Sequence, residues 1–414
     1  MGVLDDPWVA TDSTRVERAW PAGRDILEAL DAAPWDEALA YFESRDGTRM
    51  LGVGALEELR FDAGPLASIA RALPTHDVWI GGARFHPGRE ASQPWPPFRG
   101  GWFLRPAVLV VADAGGRARC FAAAGHEALA ETLARGDVAR PVQGGAVLPE
   151  AEAAQSEARW LAAFDAAIAA IHERVLDKVV LARCFEAEFP HAVPVGALLA
   201  ASSSKAAARF RFALRPRAAA TFVGMSPELL VRETKTCIET EAVAGTMRSE
   251  ASATLLADDK NRREHAFVAD AIAAALRRNG AEAIERGEIA TRCHGNLTHL
   301  VTPFVAHGAA PMRTWLADLH PTPAVCGHPR DVALDFIRER EGFDRGFYSG
   351  FVGTLQNGEA EFAVALRCAL LDAQRGRRHV YAGGGIVAGS DKNDEARELV
   401  DKIALWHEVL DQPR

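Results

Sequence analysis

The alternation of hydrophobic and polar positions predicts a chain built mainly from β-strands, with few long helices. Residues 149–175 repeat apolar side chains at helical spacing, whereas residues 178–188 switch abruptly to the β-branched pattern of a strand. The remaining predicted strands lie at 208–213, 220–223, 229–233, 236–242, 350–355, 360–371 and 379–381, and the remaining predicted helices at 251–279 and 391–410. Adjacent strands that rarely alternate with helices favour an α+β fold, with a large antiparallel β-sheet core and helices packed outside it.

The first 150 residues mix the two patterns. Residues 24–41 predict a helix, residues 85–106 an irregular loop rich in proline and glycine, and residues 107–124 a β-hairpin. No fixed-period repeat or long low-complexity linker separates this part from the rest of the chain. We therefore expect the N-terminal region, 1–150, to be part of the same core as the motif-bearing region, 151–414.

Composition narrows the class of protein. Hydrophobic residues make up 48% and charged residues 25% of the 414 residues, which is close to the average of globular proteins. A formal net charge of −9 disfavours nucleic acid as a partner. No apolar run reaches the roughly 18 residues of a membrane span, and the N-terminus is acidic where a signal peptide would be basic. We expect a cytosolic protein that acts on a small molecule, without a membrane or an obligate protein partner.

The six cysteines are scattered, without a CxxC pair or the spacing of a zinc site or disulfide framework. Most are therefore expected to be small, buried apolar residues. They are Cys120, Cys184, Cys237, Cys293, Cys326 and Cys368.

Two residues are candidates for proton transfer. Lys178 opens a strand that is otherwise almost wholly apolar, and a lysine removed from water loses its proton more readily. The alternative is a lysine at a strand end whose ammonium group reaches back to water. Glu228 ends the tight turn Ser226-Pro227-Glu228, where a carboxylate can face a cleft. The residues alone indicate an acid and a possible base, without naming a substrate.

Glycine and acidic residues near the C-terminus indicate a binding site. The run from Gly383 to Gly389 predicts a loop that exposes backbone N–H groups to an anion at the start of the following helix. Its spacing nearly matches a dinucleotide fingerprint, but no further βαβ unit follows, so a small carboxylate is the better anion. Glu395 and Glu398 share one face of that helix and are consistent with a metal site or with a solvated acidic turn. The earlier helix carries Glu264 among basic residues.

Nine strings occur in an order that is characteristic of one family. They are KVVLAR at 178, FVGMSPELLV at 222, EAVAGTMR at 241, DDKNRREH at 258, LTHLVTPF at 297, LHPTPAVCGHP at 319, FYSGFVG at 347, FAVALRCA at 362 and YAGGGIV at 381. Together they resemble the chorismate-utilising enzymes, which include anthranilate synthase large subunits, aminodeoxychorismate synthases, salicylate synthases and isochorismate synthases. The resemblance covers 157–410, and it implies the fold of anthranilate synthase component I.

The resemblance implies roles for the reacting groups. Lys178 matches the lysine that activates water for attack at ring carbon C2, and Glu228 matches the acid that protonates the departing C4 hydroxyl. Enzymes of the family that use ammonia usually have another residue at the lysine position, so Lys178 indicates water as the nucleophile. The implied reaction is the reversible conversion of chorismate to isochorismate.

The resemblance also implies a cofactor and a substrate pocket. Mg²⁺ would be held by Glu264 and Glu398, with Glu395 as a further or water-mediated ligand. Arg367 would bind the enolpyruvyl carboxylate. The other implied pocket residues are Ala244, Gly245, Thr246, His299, Gly383, Gly384 and Gly385, with backbone N–H groups or the threonine hydroxyl near the leaving oxygen. Two departures from the family pattern, Ala396 and Lys392, put in doubt the packing of the last helix rather than the chemistry.

Within the family, the string LHPTPAVCG is most similar to isochorismate synthases. The alternative is a salicylate synthase, which also has the lysine and then eliminates pyruvate from isochorismate. Outside these activities, a non-catalytic chorismate-binding protein is disfavoured because both Lys178 and Glu228 are present. Isochorismate is a precursor for menaquinone, siderophore or salicylate synthesis. The enzymes encoded nearby determine which of these pathways uses it.

Overall fold

The structure is a computed structural model, and it describes residues 14–136, 150–188, 194–203, 209–217, 220–295 and 297–410. Within those residues the strands are β1 (Arg15–Arg18), β2 (Leu39–Glu43), β3 (Arg49–Phe61), β4 (Val78–Ala83), β5 (Gly101–Ala112), β6 (Ala118–Ala123), β7 (Lys178–Glu188), β8 (Phe210–Arg215), β9 (Thr221–Ser226), β10 (Leu229–Glu233), β11 (Ile238–Arg248), β12 (Ala283–Arg286), β13 (Ala290–His294), β14 (Leu297–His307), β15 (Gly327–His328), β16 (Phe351–Gln356), β17 (Glu359–Val364), β18 (Cys368–Asp372) and β19 (Arg377–Val387). The α-helices are α1 (Ile26–Ala32), α2 (Leu66–Arg71), α3 (Glu127–Arg135), α4 (Glu150–His172), α5 (Val195–Ser203), α6 (Asp259–Arg278), α7 (Leu316–Leu319), α8 (Arg330–Arg340) and α9 (Lys392–Leu410).

All of these strands belong to one hydrogen-bonded network, and every pairing is antiparallel. The main path runs β7, β19, β18, β9, β8, β2, β3, β5, β4, β16, β17, β10, β11 and β14. The predicted α+β class with a large antiparallel sheet is confirmed. Strands of the N-terminal region pair directly with later ones, β2 with β8 and β4 with β16. The boundary near residue 150 remains a prediction.

Both ends of this path contribute residues to one cleft. Residues of β7 and β19 line it from one end of the path, and residues of β11 and β14 line it from the other end. Helix α6 packs mainly on β11, and α9 packs on β19. Residues about 200 positions apart in the sequence therefore meet at the cleft.

The predicted helix over 24–41 is wrong in its second half. Helix α1 ends at Ala32, and Leu39–Glu43 form strand β2, in which the first four side chains are buried. Periodicity cannot separate such a short, fully apolar run from a buried helix.

Two further boundaries differ from the predicted ones. The irregular segment after Phe85 ends where β5 begins at Gly101. The predicted helix over 251–279 is divided, because a 3₁₀-helix over Ser249–Ala257 precedes α6.

The cysteines follow the expectation only in part. Three are buried, Cys184 and Cys237 are partly buried, and Cys293 is exposed.

No helix in the described part of the chain combines the length and the apolar character needed to cross a membrane.

Candidate active site

The cleft between the two ends of the sheet contains about 860 Å³ of atom-free space, part of which is open to solvent. Its lining is unusually rich in charge for a concave site. The ionisable side chains that line it are Glu228, Lys260, Glu264, Arg367, Glu395, Glu398 and Lys402. Such a mixture of acids and cations suits a ligand with several charged groups, or a ligand and a metal together.

Glu228 lies in the short connection between β9 and β10, and its side chain is almost completely buried at the cleft. Its backbone N–H donates to Ser226 Oγ at 3.2 Å, which fixes the turn. Burial raises the pKa of the Glu228 carboxyl to about 8, the neighbouring charge of Glu241 adds to the increase, and Lys178 and Arg292 oppose it. Glu228 is therefore protonated near neutral pH, as a general acid must be.

Glu241 supports this acid and was not identified from the sequence. Its carboxylate accepts two hydrogen bonds of 2.9 Å from Arg292, one of 2.6 Å from Arg209, and one of 3.0 Å from the backbone N–H of Leu229. Burial opposes ionisation, but the bonds and charges of Arg292 and Arg209 hold the pKa of Glu241 below its usual range. A fixed negative charge thus lies behind Glu228, while the bond to Leu229 anchors the start of β10.

Lys178 lies at the first position of β7 with a fully buried side chain. Its Nζ lies 3.0 Å from Glu264 Oε1, in a direction that makes no hydrogen bond. Lys178 is behind the cleft surface and borders it at Gly385, because a Cβ added at Gly385 would lie 3.1 Å from the lysine Cε. The amine therefore lies directly behind the part of the cleft wall that Gly385 and Glu264 form.

Each of the three carboxylates proposed for magnesium lies against a lysine. The pairs are Lys178–Glu264 at 3.0 Å, Lys260–Glu395 at 2.9 Å and Lys402–Glu398 at 2.6 Å. Burial raises the pKa of Glu395, and the charges of Glu398 and Glu264 raise it further, so the three acids are close enough to repel one another. In the described chain their oxygens do not converge on one point. Each of the three carboxylates therefore has the amine of a lysine as its neighbour in this structure.

The opposite side of the cleft is lined by β11 and β14, which place Thr246 beside His299. The resemblance implied backbone N–H groups or the threonine hydroxyl as donors on this side. The Thr246 N–H donates to Asn261 Oδ1 at 2.8 Å, and its hydroxyl pairs with His299 Nδ1 at 2.9 Å. Burial lowers the pKa of His299 well below its usual value, and its Nε2 is buried without a partner. Among the described side chains of β11 and β14, His299 Nε2 is therefore a buried polar atom that is left for a ligand. Ala244 and Gly245 line the cleft next to it.

Cations line the third side of the cleft. Arg367 has a backbone φ of 47°, and its guanidinium is near the backbone of Lys402, whose Nζ donates to the Gly383 carbonyl at 2.6 Å. Burial lowers the pKa of Arg367 to about 10, so the group stays cationic near neutral pH. Tyr348 and Ser349 also line this side. They lie in the string FYSGFVG, but nothing in that string assigned them to a site.

The glycine run is not the predicted loop. Gly383, Gly384 and Gly385 lie inside β19 and pair with β7 opposite Ala182, Leu181 and Val180. The start of α9 is instead capped by Asp391, whose carboxylate accepts from the N–H groups of residues 393 and 394. Gly383 and Gly385 line the cleft, and Gly384 does not.

Gly385 provides space for the charged groups behind it. A Cβ at this position would lie 2.3 Å from Glu264 Oε1 and 3.1 Å from Lys178 Cε, distances at which neighbouring atoms must shift. We expect Gly385→Ala to displace this pair and to lower turnover by at least about tenfold, at a stability cost of about 1–3 kcal/mol. Steady-state kinetics and thermal denaturation would measure both effects. Gly64→Ala, whose added Cβ meets nothing closer than 3.9 Å, is the control. Unchanged turnover in the Gly385 variant would contradict the tight packing.

Residues 67–411 match the family model described as "Chorismate binding enzyme". The relatives that are similar to the chain include two isochorismate synthases. The "Salicylate biosynthesis isochorismate synthase" of Pseudomonas aeruginosa is 33% identical over 80% of this chain and 73% of the relative. The "Isochorismate synthase MenF" of Escherichia coli is 34% identical over 61% of this chain and 60% of the relative.

Solved structures are similar as well. The menaquinone-specific isochorismate synthase MenF from Escherichia coli has a TM-score of 0.77 at 27% identity, over 96% of this chain and 94% of that one. Anthranilate synthase component I from Streptococcus pneumoniae has a TM-score of 0.69 at 19% identity, over 86% of this chain and 92% of that one, which shows a shared fold.

Proposed function

Since the chain belongs to the family of chorismate binding enzymes, we propose that it is an isochorismate synthase that interconverts chorismate and isochorismate with Lys178 as base and Glu228 as acid. The observation that carries this proposal is a buried carboxyl with a pKa of about 8 in a cleft that also contains Arg367. A neutral carboxylic acid at pH 7 serves to donate a proton, and the arginine suits a substrate carboxylate.

The proposed reaction exchanges one hydroxyl position for another. Lys178, in its neutral amine form, accepts a proton from a water molecule whose oxygen bonds to C2, the ring double bonds shift, and the C4–O bond breaks. Glu228 gives its proton to the departing hydroxyl, which leaves as water. The net reaction is an isomerisation. Transfer of a proton from Lys178 back to Glu228 then restores the starting state of the enzyme.

The donor set of the cleft fits magnesium. Glu264, Glu395 and Glu398 supply oxygen ligands on two neighbouring helices, and Mg²⁺ prefers carboxylates and water. When bound, the ion would offset the negative charge of these acids and of a substrate carboxylate. Lys260 and Lys402 would then give up their pairing with Glu395 and Glu398. Lys402 would keep its bond to the Gly383 carbonyl, and Arg367 would remain free to orient the substrate.

Product analysis tests the activity. Purified protein incubated with chorismate and Mg²⁺ should form isochorismate until an equilibrium mixture is reached, because the two isomers interconvert. Chelation of the metal with EDTA should stop turnover, and added Mg²⁺ should restore it. Salicylate and pyruvate as the products would instead show a salicylate synthase, and no consumption of chorismate would overturn the proposal.

A further inference from the structure

A second group of metal-type side chains lies away from the cleft, on the strand pair β7 and β19. It consists of Cys184, Glu186 and His379, none of which lines the cleft. Glu186 lies directly opposite His379 across the pair, and Cys184 lies opposite Tyr381. Because alternate residues of a strand share a face, Cys184 and Glu186 point to the same side, where His379 also lies.

The donor atoms of this group are almost at chelating distance. Cys184 Sγ lies 4.0 Å and Glu186 Oε1 3.6 Å from His379 Nδ1, and all three donor atoms lie within 4.8 Å of one another. Around a tetrahedral ion with bonds of about 2.0–2.3 Å, ligand atoms are separated by roughly 3.3–3.7 Å. To close the site, Cys184 and Glu186 would have to move closer to His379 and to each other, and the side chain of Glu186 is exposed and has room to move.

The arrangement does not fit a nucleophile activated by a histidine and an acid. Such a relay uses both ring nitrogens, one toward the thiol and the other toward the carboxylate. Here the Cys184 thiol and the Glu186 carboxylate both face Nδ1 of His379. A single ring nitrogen can make only one of these two hydrogen bonds well. Convergence of sulfur, nitrogen and oxygen on one point is the arrangement that a bound cation needs.

We propose that Cys184, Glu186 and His379 form a zinc site that is separate from the catalytic cleft, with water as the fourth ligand. Thiolate and imidazole favour Zn²⁺ over Mg²⁺, which prefers oxygen ligands. On binding, the Cys184 S–H bond breaks, the sulfur bonds to the ion, and one proton is released to solvent. Glu186 also faces Arg377 at 3.6 Å, and the ion would compete with that pair. The bound ion would fasten β7 to β19, the two strands that hold Lys178 and Gly385.

Metal titration of the whole chain tests the proposal. With saturating Mg²⁺ present, calorimetry should show one Zn²⁺ bound per chain, with release of about one proton from the thiol. Co²⁺ in place of zinc should produce a sulfur-to-cobalt absorption band in the near ultraviolet. Zinc should also raise the melting temperature, since it binds only the folded arrangement.

Variants locate the ion. Cys184→Ser and His379→Gln should each weaken zinc binding by at least about tenfold, and Cys184→Ser should abolish the cobalt band. The control is Cys293→Ser, at an exposed cysteine that also neighbours a histidine, which should leave both signals unchanged. The proposal is overturned if the wild-type chain binds no zinc under these conditions, or if Cys184→Ser binds zinc and shows the cobalt band as the wild type does.

Discussion

Replacing Lys178 by methionine is expected to lower turnover of chorismate by at least about 10²-fold while the chain remains folded. Methionine fills the volume of the buried lysine stem but has no amine to accept a proton from water. The backbone pairing of β7 with β19 and β15 does not involve the side chain. Turnover measured at saturating Mg²⁺, with circular dichroism as the check on folding, would show the effect.

The variant Lys178→Arg distinguishes two possible roles of Lys178, namely that of the base and that of the partner of Glu264. Arginine keeps a positive charge near the carboxylate, which lies 3.0 Å from the lysine Nζ, but it cannot be deprotonated in proteins. We expect this variant to be as inactive as Lys178→Met. If Lys178→Arg were close to wild type in turnover, the residue would serve to neutralise Glu264 and another group would be the base.

Replacing Glu228 by glutamine is expected to have an effect of similar size, with a change in the pH profile. In the wild type the pKa of Glu228 is about 8, so the protonated acid is lost as the pH rises through that value and turnover should fall on the alkaline side. Glu228→Gln should be about 10²-fold slower or more at neutral pH and lack this alkaline limb. Glu233→Gln is the control, because burial also raises the pKa of Glu233, but its carboxylate accepts from the Met312 N–H and lies outside the cleft. An unchanged alkaline limb in Glu228→Gln would assign the acid elsewhere.

The raised pKa of Glu228 also makes the free energy of unfolding depend on pH. The folded chain holds the Glu228 proton more tightly than the unfolded chain, whose carboxyl has a pKa near 4.5. The stabilising contribution is therefore complete below pH about 4.5 and is lost as the pH rises through about 8. Glutamine does not ionise, so Glu228→Gln should gain stability relative to the wild type between pH 6 and pH 9. Urea denaturation at the two pH values would measure this difference, and no change in it would contradict the buried ionisation.

Several elements of the fold could be predicted from local pattern. Strand β7 begins and ends where the change from alanine-rich to β-branched residues predicts it. The run over Leu39 to Phe42 was misassigned because β2 is buried on both faces and has no alternation to read. The glycine run was misassigned for a related reason. Glycine spacing is typical of phosphate-binding loops, whereas Gly385 is needed in β19 because Glu264 and Lys178 occupy the space of a side chain.

By itself the sequence determined the strand-rich α+β class, the family resemblance and the candidate acid and base, since these depend on side-chain type and short-range order. The tertiary structure decided which groups meet. It placed Glu241 behind Glu228, paired each proposed magnesium ligand with a lysine, and brought Cys184 to His379. Such contacts join residues that are distant in sequence. They depend on which strands of the antiparallel sheet pair with each other and on which of those strands line the same cleft. The spacing of residues along the chain carries no information about these contacts.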